Sequence, residues 1–484
     1  MANEEGSSTQ LAEEQIIEDI ISEEDDGFAF KHLLLEEDEE EDFDAFVQKY
    51  GAVKVKYIKK PKIKEWFVNK PYALNFFYNG TLYRTRSERG ESGKVELFLD
   101  LLYVGIVAKL AASATEEATG VALLKYVLFF FPIWQVWSDI KDFMNYYFNE
   151  DLSQKLYMLW ILSLLVVYTN ATNYFLESNR ANAAVIVPYI LCRLSLAISL
   201  LVYAVYVPQH RHQNILYGSL IIVTCCIWIP VIFVGVRVKI GLAFMNLFLE
   251  IASWVVSYHP YTKRVLKLKY STAINIEHEV ERFGAFYVIA IGEFLYSIVA
   301  TTAEHNFGEG VSEKVGRAIM LLIIAYCLLW LYFNGDGSKK AIHAARRSGN
   351  TALLWFTLHM PLISSLILSA DAAAELCYAD EIENHGLSYY FTGGLCVSLF
   401  SLYGLAMLDK SIDDQAEQLG RQDCGTHYVS KFWRLLPRLP IGVIIICLTV
   451  ADLEITKLIA TTMCLFVVLL AYEIGMTINC YKED

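Results

Sequence analysis

Twelve apolar stretches, each of roughly twenty residues and so able to cross a hydrocarbon core about 30 Å thick, leave this chain few options but a membrane bundle. They run over 95–115, 120–144, 154–176, 183–206, 214–235, 238–258, 280–302, 315–334, 350–371, 387–408, 435–452 and 455–477. In lipid, backbone N–H and C=O groups must be satisfied within the segment, which selects helices. The expected fold class is therefore all-α, a polytopic membrane protein of about twelve spans. Hydrophobic residues make up 55% of the 484, above the roughly 45–50% of soluble domains, in keeping with many spans.

Charge between the spans orients them. With the N-terminus inside, the inner loops carry Arg211, then Lys263, Arg264, Lys267 and Lys269, then Lys339, Lys340, Arg346 and Arg347, then Lys410, Arg421, Lys431 and Arg434. The outer loops carry Arg180, Arg237, Lys239 and Lys457, beside acids such as Glu116, Glu117, Glu375, Asp380, Glu381 and Glu383. By the positive-inside rule both termini are expected on the inner side.

The net charge of −14 comes mostly from residues 1–50, an acidic stretch that is expected to be disordered and to offer a surface to a soluble partner. It gives no nucleic-acid footprint. Residues 51–94 are a basic, aromatic-dotted juxtamembrane segment, expected to fix topology and to meet the lipid bilayer. A first six-helix half then spans 95–258, a basic linker 259–279, a second half 280–477 and a short tail 478–484. No cationic segment followed by an apolar run opens the chain, so no cleaved signal is expected. Of ten cysteines, seven fall inside apolar segments and Cys377 alone is expected on the outer face, so no disulfide framework is expected.

The halves look related. Val95-Glu96-x-Phe98 matches Val280-Glu281-x-Phe283, Trp134 matches Trp330, and Leu159-Trp160 matches Leu354-Trp355. Two copies of an even number of spans share one orientation about an axis along the membrane normal.

The ionisable residues inside the spans carry the functional expectation. Glu96 and Asp100 lie one helical turn apart on one face. Arg193, Glu250, Glu293 and His359 fall near the middles of their helices. A charge at that depth costs about 2.5–3.5 kcal/mol on insertion scales, so such groups turn toward protein or water. They are expected to line or gate a path for an ion or small polar solute, with Glu96 and Glu281 at the two inner mouths. The rival is a scaffold or sensor in which ion pairs, such as Arg193 with Asp100 or Glu293, only hold helices in register. Pro132, Pro188, Pro230 and Pro361 are tolerated within spans. Trp134, Trp137, Tyr146 and Tyr147 are expected to form an interfacial aromatic belt.

Several motifs fail. His278-Glu279-x-x-Arg282 lacks the second histidine of a zinc protease helix. Gly90-Glu-Ser-Gly93-Lys94 has the wrong spacing for a phosphate loop, and His210 with His212 is too little for a metal site. With no nucleophile–base set, metal cluster or cofactor motif in view, an enzyme ranks third and no cofactor is expected.

Against that background, Glu96-Leu-Phe-Leu-Asp-Leu-Leu-Tyr-Val resembles the opening ELFFDLVFV of the low temperature requirement protein A (LtrA) family. Glu281-Arg-Phe-Gly-Ala-Phe-Tyr-Val-Ile-Ala-Ile-Gly-Glu293 resembles its ERFGLFTIIxLGE. Trp137, Asn145, Arg193 and His359-Met-Pro-Leu362 extend the likeness, which covers about residues 90 to 475. Leu99 and Tyr103 stand where the family has Phe. The resemblance implies a multi-pass membrane protein whose name records a cold-growth phenotype, not a reaction. An aromatic residue followed closely by Asp100 is also similar to the Phe-Ser-Asp motif of lysosomal-type potassium channels, with Leu99 in place of serine.

Overall fold

The computed structural model describes residues 55–58, 67–85, 94–148, 151–300, 312–335, 341–382, 384–411 and 429–477. The acidic segment 1–50, much of the basic approach, and the tail 478–484 lie outside the described residues. Among the described residues, twelve helices are long and apolar enough to cross a membrane. These are α1 (Lys94–Glu117), α2 (Gly120–Tyr147), α3 (Leu152–Tyr174), α4 (Asn179–Tyr206), α5 (Arg211–Val231), α6 (Val236–Tyr258), α7 (Ile276–Val299), α8 (Glu313–Phe333), α9 (Gly349–Tyr378), α10 (His385–Leu408), α11 (Lys431–Ala451) and α12 (Ile455–Thr477).

Local chemistry sets their starts. A side-chain oxygen of Thr119, Asp151, Ser178 or Ser348 accepts a hydrogen bond from a first-turn N–H of α2, α3, α4 or α9, satisfying a donor with no intrahelical partner. Pro132, Pro188, Pro230 and Pro361 sit inside continuous helices. Where α9 meets α10, a Cβ on Gly394 would lie 2.7 Å from Ser365 O, and Ser365 bonds Ser398 at 2.9 Å. Small residues let these two backbones close up.

The chain is mostly helical rather than all-α. Four short strands, β1 (Val55–Ile58), β2 (Asn75–Tyr78), β3 (Thr81–Thr85) and β4 (Tyr270–Thr272), form a sheet in the order β1-β3-β2-β4. Asn79 and Gly80, both at positive φ (46° and 88°), turn β2 into β3, as the Asn-Gly hairpin requires. The antiparallel pairing of β2 with β4 fastens the approach segment to the stretch between α6 and α7. Phe76 stacks on Tyr83 at 5.3 Å between ring centroids. Leu74 N–H donates to Tyr146 O at the end of α2, so the sheet caps that end of the bundle.

One expectation is corrected here. The expected aromatic belt is interior: Trp134, Trp137, Tyr146 and Tyr147 are all buried. Their rings pack on Phe283, Phe286, Tyr203 and Tyr258 of other helices. Cys377 falls in the last turn of α9 but is buried, with Sγ 3.6 Å from Lys314 O.

Candidate functional site

Three helices converge on one charged cluster near the sheet end. The i, i+4 spacing puts Glu96 and Asp100 on one face of α1, Trp137, Lys141 and Asn145 on one face of α2, and His278 and Arg282 on one face of α7. Arg282 bridges the α1 carboxylates, with Nη2 2.6 Å from Asp100 Oδ1 and Nη1 3.2 Å from Glu96 Oε1. Trp137 Nε1–H donates to Asp100 Oδ1 at 2.8 Å, while Asp100 Oδ2 accepts no hydrogen bond from the described residues. Lys141 pairs with Glu279 and, at 2.6 Å, with Asp142. Its ammonium also lies 5.0 Å from the Phe283 ring and 5.1 Å from that of Phe356. Trp254 of α6 donates to Asp142 at 2.9 Å.

Asn145 ties α2 to the start of α7. Asn275 N–H donates to Asn145 Oδ1 at 2.8 Å, so the Asn145 amide turns its NH₂ toward Glu279 (2.9 Å) and Asn275 O (3.0 Å), with His278 Nδ1 3.3 Å away. His278 Nε2 lies 3.1 Å from Glu96. Four carboxylates share two fixed cations and the His278 imidazole, and every one of these ionisable side chains is buried. A cavity of about 20 Å³ reaches the cluster from the sheet side, lined by Asn75, Arg84, Asn145 and His278 among others.

A second cluster uses the opposite side of α2. Arg193 of α4 pairs with Asp139 and lies 3.9 Å from Glu250 of α6. Tyr189 Oη–H and Trp228 Nε1–H donate to the two Glu250 oxygens at 2.6 and 2.9 Å, and Tyr217 Oη–H donates to Asp139 at 2.6 Å. Arg193 thus meets neither Asp100 nor Glu293, because Arg282 occupies Asp100 and Asp139 lies nearer.

The remaining candidates stand apart. Glu281 precedes Arg282 and so lies about 100° round α7 from it. It is half-buried and outside the cluster, so Glu96 and Glu281 are not equivalent mouths. Glu293 is half-buried, eleven residues and about 16 Å farther along α7 than Arg282. His359 is buried, with Nδ1 2.9 Å from Trp355 O and Nε2 3.0 Å from Tyr332 Oη. That bond joins α8 to α9. Toward the opposite end, Thr115 donates to Asp371, and a cavity of about 260 Å³ is lined by Ser113, Glu116, Glu117 and Lys125. Among the described residues no group of three or more His, Cys, Asp or Glu side chains is arranged to hold a metal ion.

Sequence reasoning missed Asp139, Lys141, Asp142, His278, Glu279 and Arg282 as site residues. Their signal was present in Asp139-Ile-Lys-Asp142 and in the set-aside His278-Glu279-x-x-Arg282. Charges near span ends ordinarily belong at the headgroups, and only the packing of α1, α2 and α7 shows them enclosed.

Twelve spans around enclosed charge define an integral, multi-pass membrane protein with a polar interior. Residues 91–472 match the family model of the bacterial low temperature requirement A protein (LtrA), and the chain belongs to that family. It is also 22% identical over 312 residues to a protein of Rhizobium meliloti (strain 1021) described as uncharacterized, a match covering 62% of this chain and 73% of that one. No solved structure matches the chain.

Proposed function

We propose that the protein is a membrane transporter or channel for an ion or small polar solute, working through the α1–α2–α7 cluster and moving or exchanging a proton there. The observation that carries this reading is the surplus of acid, four buried carboxylates against two fixed cations, with Asp100 Oδ2 left without a donor. Buried carboxylates in such excess cannot all stay ionised cheaply, so at least one holds a proton or a bound cation.

His278 supplies a route to them. A cavity of about 20 Å³ is large enough for one water. His278 Nε2 faces Glu96 at 3.1 Å and Arg282 bridges Glu96 to Asp100, so polar groups are continuous from that cavity to Asp100. The Arg193 cluster serves as a lock in this reading, since hydroxyl and indole donors hold its carboxylates.

The test is flux of H⁺, Na⁺, K⁺ and amino acids into liposomes holding the purified full chain. Flux of at least one of these, lowered at least tenfold by Asp100→Asn and changed by Glu293→Gln, is expected. Silence across that panel in a folded protein would leave the scaffold or sensor reading, with the ion pairs as struts.

A further inference from the structure

The geometry points to a binding site for an anionic phospholipid between α2, α4, α5 and α6, at the end of the bundle opposite the sheet. The observation is Lys239, in the first turn of α6, which is only 4% exposed. Among the described residues no carboxylate or hydrogen-bond acceptor meets its Nζ, which sits 5.4 Å from the centroid of the Phe175 ring. A cation–π contact leaves the ammonium without a counter-charge. Sequence alone places Lys239 as an ordinary loop charge.

Lys239 lines an apolar cavity of about 130 Å³ that Lys125 also borders. From Val121 to Pro132 the lining follows α2 for about 16 Å. Val121 and Val236 on its border are exposed, so it is reachable from the lipid-facing surface, whereas Tyr189 and Trp228 form deeper wall and are buried. Lys239 at a helix end over an apolar slot, with Lys125 (3.5 Å from Glu117) on its border, matches a phosphate at headgroup level with an acyl chain beneath it. Phospholipid is the occupant because the surrounding bilayer presents it continuously at that depth. The wall residues Tyr189 and Trp228 are the ones that donate to Glu250, so a bound chain would press on the Arg193 cluster. The proposal does not depend on transport.

The test is native mass spectrometry of the full chain in detergent, titrated with dioleoyl-phosphatidylglycerol, dioleoyl-phosphatidylcholine or oleate, with thermal melting as the check on folding. At least fivefold stronger retention of phosphatidylglycerol over phosphatidylcholine is expected. Lys239→Gln should remove that preference and Lys239→Arg restore it, while Ala243→Phe, which fills the slot, should weaken both lipids. Equal retention of the two phospholipids by the unaltered chain overturns the proposal. So does an unchanged preference in folded Lys239→Gln, or retention of oleate alone.

Discussion

Two buried charge clusters share helix α2, and they are built differently. Around Arg193, one guanidinium meets two carboxylates whose oxygens are further held by Tyr189, Tyr217 and Trp228, and all the helices involved belong to the first half. Around Arg282, four carboxylates crowd two cations, the helices come from both halves, and a water-sized cavity adjoins the group. The first arrangement sets one cation against two carboxylates that neutral donors also hold, which suits a strut. The second keeps an acidic surplus where α1 and α2 meet α7, which suits a group that changes its proton or ion content.

Removing each cluster's guanidinium tests that contrast first. Arg282→Met strands Glu96 and Asp100 and should cost about 3–5 kcal/mol, seen as a lower melting temperature in detergent. Adding Glu96→Gln should recover part of the loss. Arg193→Met should cost less, because its carboxylates keep their hydroxyl and indole donors.

Tyr189→Phe sharpens the strut assignment. It takes a donor from Glu250 and should lower stability by about 1.5–3 kcal/mol, the range for hydrogen bonds to charged groups, with flux retained.

A pH effect comes from outside both clusters. His210, between α4 and α5, bonds Tyr147 Oη at 2.9 Å and Asn75 O at 3.0 Å, and burial pushes its pKa down to about 3. The unfolded imidazole titrates near 6.5, so the unfolded state binds the extra proton first as pH falls. Stability should therefore drop from about pH 6.5 downward, by about 2 kcal/mol at pH 5. Melting temperatures of the unaltered chain and His210→Gln across that range should show a shallower slope in the variant. The smallest effect is expected for Tyr332→Phe, which frees His359 Nε2 and should cost about 1 kcal/mol without altering flux.

The helices were legible because each apolar run satisfies its own backbone, and the twelve observed spans follow the expected ones closely. Glu96 and Asp100 were legible because four-residue spacing defines a face on any helix. Their partners were not, since Arg282, Lys141 and Glu279 sit where charge ordinarily meets water, and tertiary packing alone encloses them. The matched pairs of the two halves also occupy unlike settings. Trp134 is buried and Trp330 exposed, Trp160 exposed and Trp355 buried. Similar sequence offsets thus do not by themselves predict which partner a residue meets. The sheet had a local sign in Asn79-Gly80, but β4 joins it from nearly two hundred residues away, a pairing that no local pattern specifies.

The most direct test sets Asp100→Asn beside Glu250→Gln in the same liposome flux assay, with equal amounts of folded protein. Asp100→Asn should lower flux at least tenfold, while Glu250→Gln should change it less than twofold. Equal flux in the two variants, or a loss confined to Glu250→Gln, would contradict the proposal.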